Sequence, residues 1–308
     1  MSFCNAYYEE KRDFRHRLLG CAGRGEAGQL SLNPEGLCRE RKGDKKHMKA
    51  NYKNWVPKGM ILAFFGVALL LFILAAAAGR FAPPGMLRAL LLLLLITGGL
   101  IFFGLGIWSR MMYRAFDYNG TRQMARQIIE GTASYVKLPE GGSCLDVGCG
   151  SGALGIAVAK RNPGARVIGI DRWGREYASF SKALCERNAE AEGVSNICFR
   201  KGDALHLDFP DESFDAVTSN YVYHNIPSSD RQTILLETLR TLKKGGSFAI
   251  HDIFSVSKYG DMKAFLQRLR DMGYQRAELI DTTQGMFMEK GEAGWMALSG
   301  SAILTGIK

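Results

Sequence analysis

The sequence predicts an α/β domain built on a mostly parallel sheet and preceded by a transmembrane helical hairpin. Three observations carry this reading. Two uncharged apolar blocks of 21 residues each lie between Gly59 and Ser109. Short apolar strands alternate with helical stretches after them, the pattern of a parallel sheet with crossover helices. A glycine-rich turn at 148–152 falls where the first of those strands meets the first of those helices. With 308 residues, 47% of them hydrophobic, the chain exceeds one ordinary domain and reads as one catalytic-size core plus an appendage.

The first 47 residues mix charges, glycines and scattered apolar residues without a sustained period, which predicts a poorly ordered tail. Met48 opens a basic lead into the hydrophobic region, so translation is expected to start there. The formal charge is +10, and the excess gathers in Arg39, Arg41, Lys42, Lys45, Lys46, Lys49, Lys53 and Lys58, next to the first apolar block. Basic residues beside a hydrophobic span are a topology signal, whereas a nucleic-acid surface calls for basic and aromatic residues interleaved on the folded domain. No nucleic-acid partner is expected. The seven cysteines (4, 21, 38, 144, 149, 185 and 198) form no Cys-x-x-Cys pair and have no paired histidines nearby. Neither a zinc site nor a disulfide framework is suggested, and reduced thiols in a cytosolic compartment fit best.

Residues 59–79 and 89–109 each span roughly 30 Å as helices, enough to cross a bilayer core. Residues 80–88 between them hold Pro83, Pro84 and Gly85, a turn too short for a domain, so the two spans pair as a hairpin. Trp55 and Trp108 sit where interfacial aromatics belong. Eight basic residues precede the first span, two lie in the turn, and Arg110, Arg114, Arg122 and Arg126 follow the second. Both ends are therefore expected on the cytoplasmic side. A cleaved signal peptide is the alternative, but the apolar run is too long for one and a second span follows. The organisation expected is a basic tail over 1–58, two spans over 59–109 and a catalytic domain over 110–308.

Residues 111–136 read as a helix leading into the core. Strands are predicted over 143–148, 166–171, 197–201, 214–219 and 247–252, with helices over 152–161, 175–192 and 230–242. A further helix over 258–272 precedes two final strands.

The turn Gly148-Cys149-Gly150-Ser151-Gly152 ends the first strand and opens a helix, and its glycines let a ligand approach the backbone where side chains would block it. A nucleotide-like ligand is expected at this strand end. Gly148-x-Gly150-x-x-Ala153 also satisfies the dinucleotide fingerprint, with Asp171 at the distance that would hold a ribose, so a nicotinamide-dependent oxidoreductase is the enzymatic alternative. Two features favour another cofactor. Asp146 stands two residues before the first glycine, where the dinucleotide pattern has an apolar residue, and later strand ends add polar positions in matching order.

Those positions are Leu145-Asp146-Val147-Gly148-Cys149-Gly150-Ser151-Gly152, Gly169-Ile170-Asp171, Gly202-Asp203-Ala204, Phe214-Asp215-Ala216-Val217 and Leu242-Lys243-Lys244-Gly245-Gly246-Ser247-Phe248. In them the sequence resembles the class I S-adenosylmethionine-dependent methyltransferase superfamily over roughly residues 120–308. The run from Gly202 through Phe209-Pro210-Asp211-Glu212-Ser213-Phe214-Asp215 is similar to the group that holds quinone-biosynthesis and many small-molecule methyltransferases. The resemblance implies a Rossmann-like, seven-stranded sheet with an antiparallel last strand, binding S-adenosyl-L-methionine at the carboxyl ends of its first strands. It implies that Asp171 binds the ribose hydroxyls, and that Asp203 with the backbone of Ala204 holds the adenine. Asp146 with Gly148, Cys149, Gly150 and Gly152 would surround the methionine portion. Carboxylates suit hydroxyl and amino donors because they only accept hydrogen bonds. Arg172 and Trp173 follow Asp171, and Trp173 packs either on the adenine or in the core. Asn220 and Tyr221, after the fourth strand, are expected to close over the cofactor or line the substrate pocket. Cys149 reads as a small residue that the turn tolerates.

Methyl transfer from a sulfonium is a direct displacement, so alignment and exclusion of water are the protein's main tasks. If the acceptor is a hydroxyl or an acidic carbon, a base helps. Of the five histidines, His16 and His47 lie outside the catalytic domain. His224 follows the fourth strand at the rim where acceptors enter, with Tyr223 beside it, and His251-Asp252 ends the fifth strand nearby. His224, Tyr223 and His251 are the catalytic candidates, with a backbone-bonding role for His224 as the plainer reading. Anchoring places the pocket by the bilayer, which points to a small-molecule or lipid-like acceptor. The hairpin's small residues, such as Ala75 and Gly79, serve equally to pack helix on helix or to recruit a partner. A membrane scaffold that binds the cofactor without transferring methyl is the alternative from another class.

Overall fold

The computed structural model of the chain describes residues 49–174, 179–228 and 230–308. The tail expected over 1–47, the start at Met48 and the opening turn of the helix expected from residue 175 lie outside the described residues.

Two helices come first, α1 (Lys58–Phe81) and α2 (Met86–Ala115). At 24 and 30 residues they are about 36 and 45 Å long, longer than the spans read from charge alone. Pro83 and Pro84 fall in the turn between them, where neither can continue a helix. The helices meet through small residues: Ala68 and Ala75 are buried, and a Cβ on Gly99 or Gly106 would stand 2.6 or 2.8 Å from ring atoms of Phe72 or Phe65. Gly79 is looser, its nearest neighbour being Leu92 at 3.9 Å. Only 11% of each helix's most apolar stretch is buried, so most of its apolar surface is exposed. Both helices are long and apolar enough to cross a membrane.

The single helix expected over 111–136 is two. Helix α2 runs on to Ala115, and α3 (Met124–Ala133) starts after a turn. The cause is local: the Asp117 carboxylate accepts the Asn119 N–H at 3.1 Å, Gly120 closes on the Asp117 carbonyl, and Gln123 sits at φ 48. An Asx turn followed by a left-handed residue gives the backbone an alternative to the helix.

Beyond lie β1 (Ser143–Val147), α4 (Ala153–Arg161), β2 (Arg166–Asp171), α5 (Lys182–Ala191), β3 (Ile197–Lys201) and β4 (Phe214–Asn220). After them come α6 (Arg231–Arg240), β5 (Leu242–Ile253), α7 (Val256–Tyr259), α8 (Met262–Asp271), β6 (Arg276–Asp281), α9 (Lys290–Trp295) and β7 (Ser301–Ile307). The strands form one seven-stranded sheet in the order β3-β2-β1-β4-β5-β7-β6. The first five pair in parallel, and β7 runs antiparallel to both β5 and β6. This is the Rossmann-like sheet with an antiparallel last strand that the sequence predicts.

Two cores follow from the strand alternation. Cys144, Val167, Ala216 and Ala249 pack with α3 and α4 on one face, while Leu145, Val147, Val217 and Phe248 pack with α6 and α8 on the other. Several element boundaries differ from expectation: β5 starts at Leu242, five residues before the strand expected over 247–252, because the helix expected over 230–242 ends at Arg240, and two others have a local cause. Helix α5 begins at Lys182, where Ser181 Oγ accepts the Leu184 N–H at 3.2 Å and caps it. The helix expected over 258–272 breaks at Gly260, and α8 restarts on the Asp261 carboxylate, which takes the Lys263 and Ala264 N–H groups.

The β6–β7 pair is tight enough to give a stability test. A Cβ on Gly306 would lie 1.9 Å from the Arg276 carbonyl oxygen and 2.8 Å from the Phe248 ring. Backbone cannot yield as a flexible side chain does, so Gly306→Ala is expected to cost about 3 kcal/mol. Chemical denaturation of the detergent-solubilised protein checks this, and an unchanged midpoint would refute it.

Candidate functional site

Strand β1 delivers the chain into the glycine turn, where Gly148 and Cys149 both donate backbone N–H groups to the Ile170 carbonyl at the end of β2. Gly148, Gly150 and Gly152 have φ of 72, 54 and 84, a left-handed conformation that side chains disfavour. At Gly148 space forbids a side chain as well, because its Cβ would stand 2.3 Å from Val222. The Asp171 carboxylate at the tip of β2 organises the turn. One oxygen accepts the Gly150 N–H at 2.9 Å and the other the Trp173 N–H at 2.7 Å. The Gly150 carbonyl in turn accepts the Trp173 indole N–H at 3.0 Å and the Cys185 thiol at 3.2 Å. Trp173 is therefore committed to the turn itself. Cys149 is buried, and burial raises its thiol well above the ordinary range, which fits a packing residue.

Asp203 follows β3, accepts the Leu205 N–H at 3.0 Å and stands 4.0 Å from Arg172 Nε, both side chains being largely exposed. Ala204 beside it is buried. Asp171 and Asp203 thus place two acceptor-only groups at successive strand ends around a turn whose alternate residues are glycine. That acceptor set fits a ligand carrying a diol and an exocyclic amine.

Asp146 stands apart from them. It is 1% exposed, and its oxygens take the Gly155 N–H at 2.9 Å and the Thr218 hydroxyl at 3.0 Å. The sequence reading puts Asp146 against the ligand, whereas the structure spends both oxygens on tying β1 to the first turn of α4 and to β4. Burial pushes its carboxyl up to about 7, against the two hydrogen bonds, which pull it down. A folded value above the unfolded 3.8 means that the native state binds the extra proton. Stability from this group is therefore expected to fall as pH rises from about 4 to about 7, and Asp146→Asn is expected to flatten that slope. Denaturation midpoints of both proteins at pH 5 and pH 8 test it, and parallel pH profiles would contradict it.

The catalytic candidates separate cleanly. His224 lies in a short turn of 3₁₀ helix after β4, its side chain 13% exposed, and its Nδ1 is 2.5 Å from Asp252 Oδ1. Asp252 is fully buried and also accepts the Tyr223 N–H at 2.9 Å and the Ile253 N–H at 2.7 Å. A carboxylate on Nδ1 fixes the tautomer and leaves the lone pair on Nε2, where a general base needs it. Tyr223 is instead a core residue, fully buried, with its hydroxyl 2.8 Å from Thr238 on α6. His251 is buried too, bonded to Asn220 Oδ1 at 2.9 Å and Thr282 Oγ1 at 3.1 Å. Burial lowers its pKa to about 3, so it stays neutral. Asn220 serves His251, and Tyr221, at φ 53, packs its ring 4.7 Å from His251 and 5.8 Å from His224 while its hydroxyl meets Ser301 Oγ at 2.8 Å. Asn220 and Tyr221 thus form a polar and aromatic floor beside the His224–Asp252 pair.

Sequence reasoning names Asp252 only as the neighbour of His251 and passes over Thr218 and Asn188. Asp252 was visible in principle, since it neighbours His251 at a strand end and alternation turns it to the opposite face. Nothing local marked Asn188, whose amide reaches the Ser151 carbonyl at 2.9 Å. A cavity of about 560 Å³ lined by Arg122, Gln127, Met286, Phe287 and Glu292 lies away from the glycine turn. Its arginine is already spent on Glu292 and the Phe287 carbonyl.

Residues 138–296 match a family model described as a methyltransferase domain. Demethylmenaquinone methyltransferase of Lactobacillus johnsonii is 36% identical over 116 residues, 37% of this chain and 45% of that protein. The 2-phytyl-1,4-naphtoquinone methyltransferase of Synechococcus elongatus is 40% identical over 114 residues, 37% of this chain and 46% of its own. The 27-O-demethylrifamycin SV methyltransferase of Amycolatopsis mediterranei is 27% identical over 170 residues, covering 54% of this chain and 60% of that protein. The chain spans about half the length of the curated relatives it matches.

Proposed function

This chain belongs to the methyltransferase-domain family, and from that premise we propose that it moves methyl from S-adenosyl-L-methionine to a small amphipathic acceptor while anchored in a membrane. The observation that carries the methyl-transfer reading is the glycine turn with Asp171 bonded across it to the Gly150 N–H. Asp171 and Asp203 would hold the ribose and adenine, and the glycine backbone the methionine portion. When bound, the cofactor supplies an electrophilic methyl group on a sulfonium. The chain's part is to bind it, exclude water and manage the acceptor's proton. His224 Nε2 takes that proton as the new bond to carbon forms, and Asp252, already on Nδ1, stabilises the imidazolium. Tyr221 packs beside the imidazole and restricts its motion.

Sheet order speaks against the nicotinamide alternative, whose doubly wound sheet runs 3-2-1-4-5-6 without an antiparallel insertion. Here β7 sits antiparallel between β5 and β6. Stabilisation by S-adenosylhomocysteine but not by NADH is the expected result of a thermal-shift comparison.

Support for the anchor comes from α1 and α2, whose apolar side chains, such as Leu62, Leu69, Leu90 and Leu94, are exposed. The basic flanks at Lys49, Lys53, Lys58, Arg110 and Arg114 support a cytoplasmic side for the catalytic domain and the N-terminal segment. Two of the relatives are named for a demethylmenaquinone and a phytyl naphthoquinone, which supports an acceptor that partitions into the bilayer. A tether then raises its local concentration without new contacts. The test is incubation of the purified membrane fraction with methyl-labelled cofactor and separate lipid and water-soluble extracts. Label in a lipid-phase product supports the reading. Label confined to water-soluble products would remove the lipid-like acceptor, and no label in either would remove methyl transfer.

A further inference from the structure

Residues 49–57, which composition groups with the basic tail, lie packed along the catalytic domain before α1 begins. The Asn51 backbone is gripped at both ends by one side chain: its N–H donates to Asn188 Oδ1 at 2.8 Å and its carbonyl accepts from Asn188 Nδ2 at 3.2 Å. The second proton of that Nδ2 goes to the Ser151 carbonyl in the glycine turn at 2.9 Å. Asn188 is 2% exposed, so a buried amide uses both N–H donors and its acceptor oxygen to join this segment to the turn. Tyr52 is buried with its ring 4.5 Å from Tyr118. Trp55 stands 5.2 Å from Phe116 and edge-on to Tyr221 at 5.5 Å. The far end is fixed to α2, where Asn54 Nδ2 donates to the Tyr113 carbonyl at 2.7 Å.

We infer that the membrane-leading segment 49–57 is a working part of the cofactor site, with Asn188 as the positioning residue that couples it to the glycine turn. This rests on the methyltransferase reading above. A buried amide with all its partners satisfied is rigid, and losing a partner costs the desolvation of the group left behind. Ordering of the turn by a ligand therefore tightens the segment, and release of the segment loosens the turn. Trp55 adds a second contact, so the segment reaches the site through Asn188 at Ser151 and directly at Tyr221. The hairpin thereby does more than hold the domain at a surface: its lead is built into the place where the ligand sits.

Hydrogen exchange on the full-length chain in lipid nanodiscs, with and without S-adenosylhomocysteine, tests the coupling. Slower exchange in both 148–152 and 49–57 on adding the ligand is the expected result. Protection of 148–152 alone would overturn the inference while leaving the cofactor reading intact, and protection of neither would overturn both. Asn188→Asp keeps the shape but sets a carboxylate oxygen against the Ser151 and Asn51 carbonyls. It is expected to raise the S-adenosylhomocysteine Kd about tenfold and to abolish the ligand-dependent protection of 49–57. A purely structural role would leave that protection in place, and an unchanged Kd with the protection retained would overturn the inference.

Discussion

His224→Ala is expected to lower turnover by about 10²- to 10⁴-fold while leaving the S-adenosylhomocysteine Kd within about twofold, the effect of deleting a general base. The geometry behind it is the 2.5 Å contact between His224 Nδ1 and a fully buried Asp252. The carboxylate is held in turn by the Tyr223 and Ile253 N–H groups. Because the ring lies after β4 and outside the glycine turn, removing it deletes no contact to the cofactor cradle. Asp252→Asn is expected to lower turnover as well, since an amide can present its NH₂ to Nδ1 and stabilise the tautomer with the proton on Nε2. Single-turnover rates with methyl-labelled cofactor and the identified acceptor measure both. Unchanged rates in His224→Ala would take the histidine out of the chemistry and leave alignment as the domain's contribution.

What the sequence made legible follows from the range of the interactions involved. The glycine turn, the strand-end acids Asp171 and Asp203, and the two apolar helices are written in contiguous residues, and each is found where periodicity and spacing predict it. Asp146 and Tyr223 are placed differently from the sequence expectation for one reason. Both stand next to functional positions in the chain, but their side chains point inward, to Gly155 and Thr218 in one case and to Thr238 in the other. His251 shows the same limit: its position at a strand end fits a base, yet burial lowers its pKa to about 3, too weak for one, and both ring nitrogens already have partners. The helix expected over 111–136 failed where a local Asx turn outcompeted propensity. Asn188 was invisible, and Trp55 reads only as an interfacial aromatic, because their partners are distant in the chain. Asn188 meets Asn51 137 positions away, a pairing that no local period encodes.

Asp171→Ala is expected to weaken S-adenosylhomocysteine binding by about 100-fold, with the unliganded protein still folded. Each oxygen of this carboxylate already has one backbone donor, from Gly150 at 2.9 Å and Trp173 at 2.7 Å, and carries further lone-pair capacity for a hydroxyl pair. Charge-assisted hydrogen bonds of this kind are worth about 1.5–3 kcal/mol each, so losing two toward a ligand corresponds to roughly the stated factor at the lower end of that range. The loss has a second source. Without Asp171 the Gly150 N–H has no acceptor, and the turn must be ordered by the ligand at the ligand's expense. The two sources are separable with Asp171→Asn, which retains one acceptor oxygen and can hold either the Gly150 N–H or the ligand, but not both as well as the carboxylate does. Its affinity is expected to fall between wild type and Asp171→Ala. Isothermal titration of the three proteins in nanodiscs reads the order directly. A Kd for Asp171→Ala within about threefold of wild type would show that neither source operates and would move the ribose site away from the end of β2.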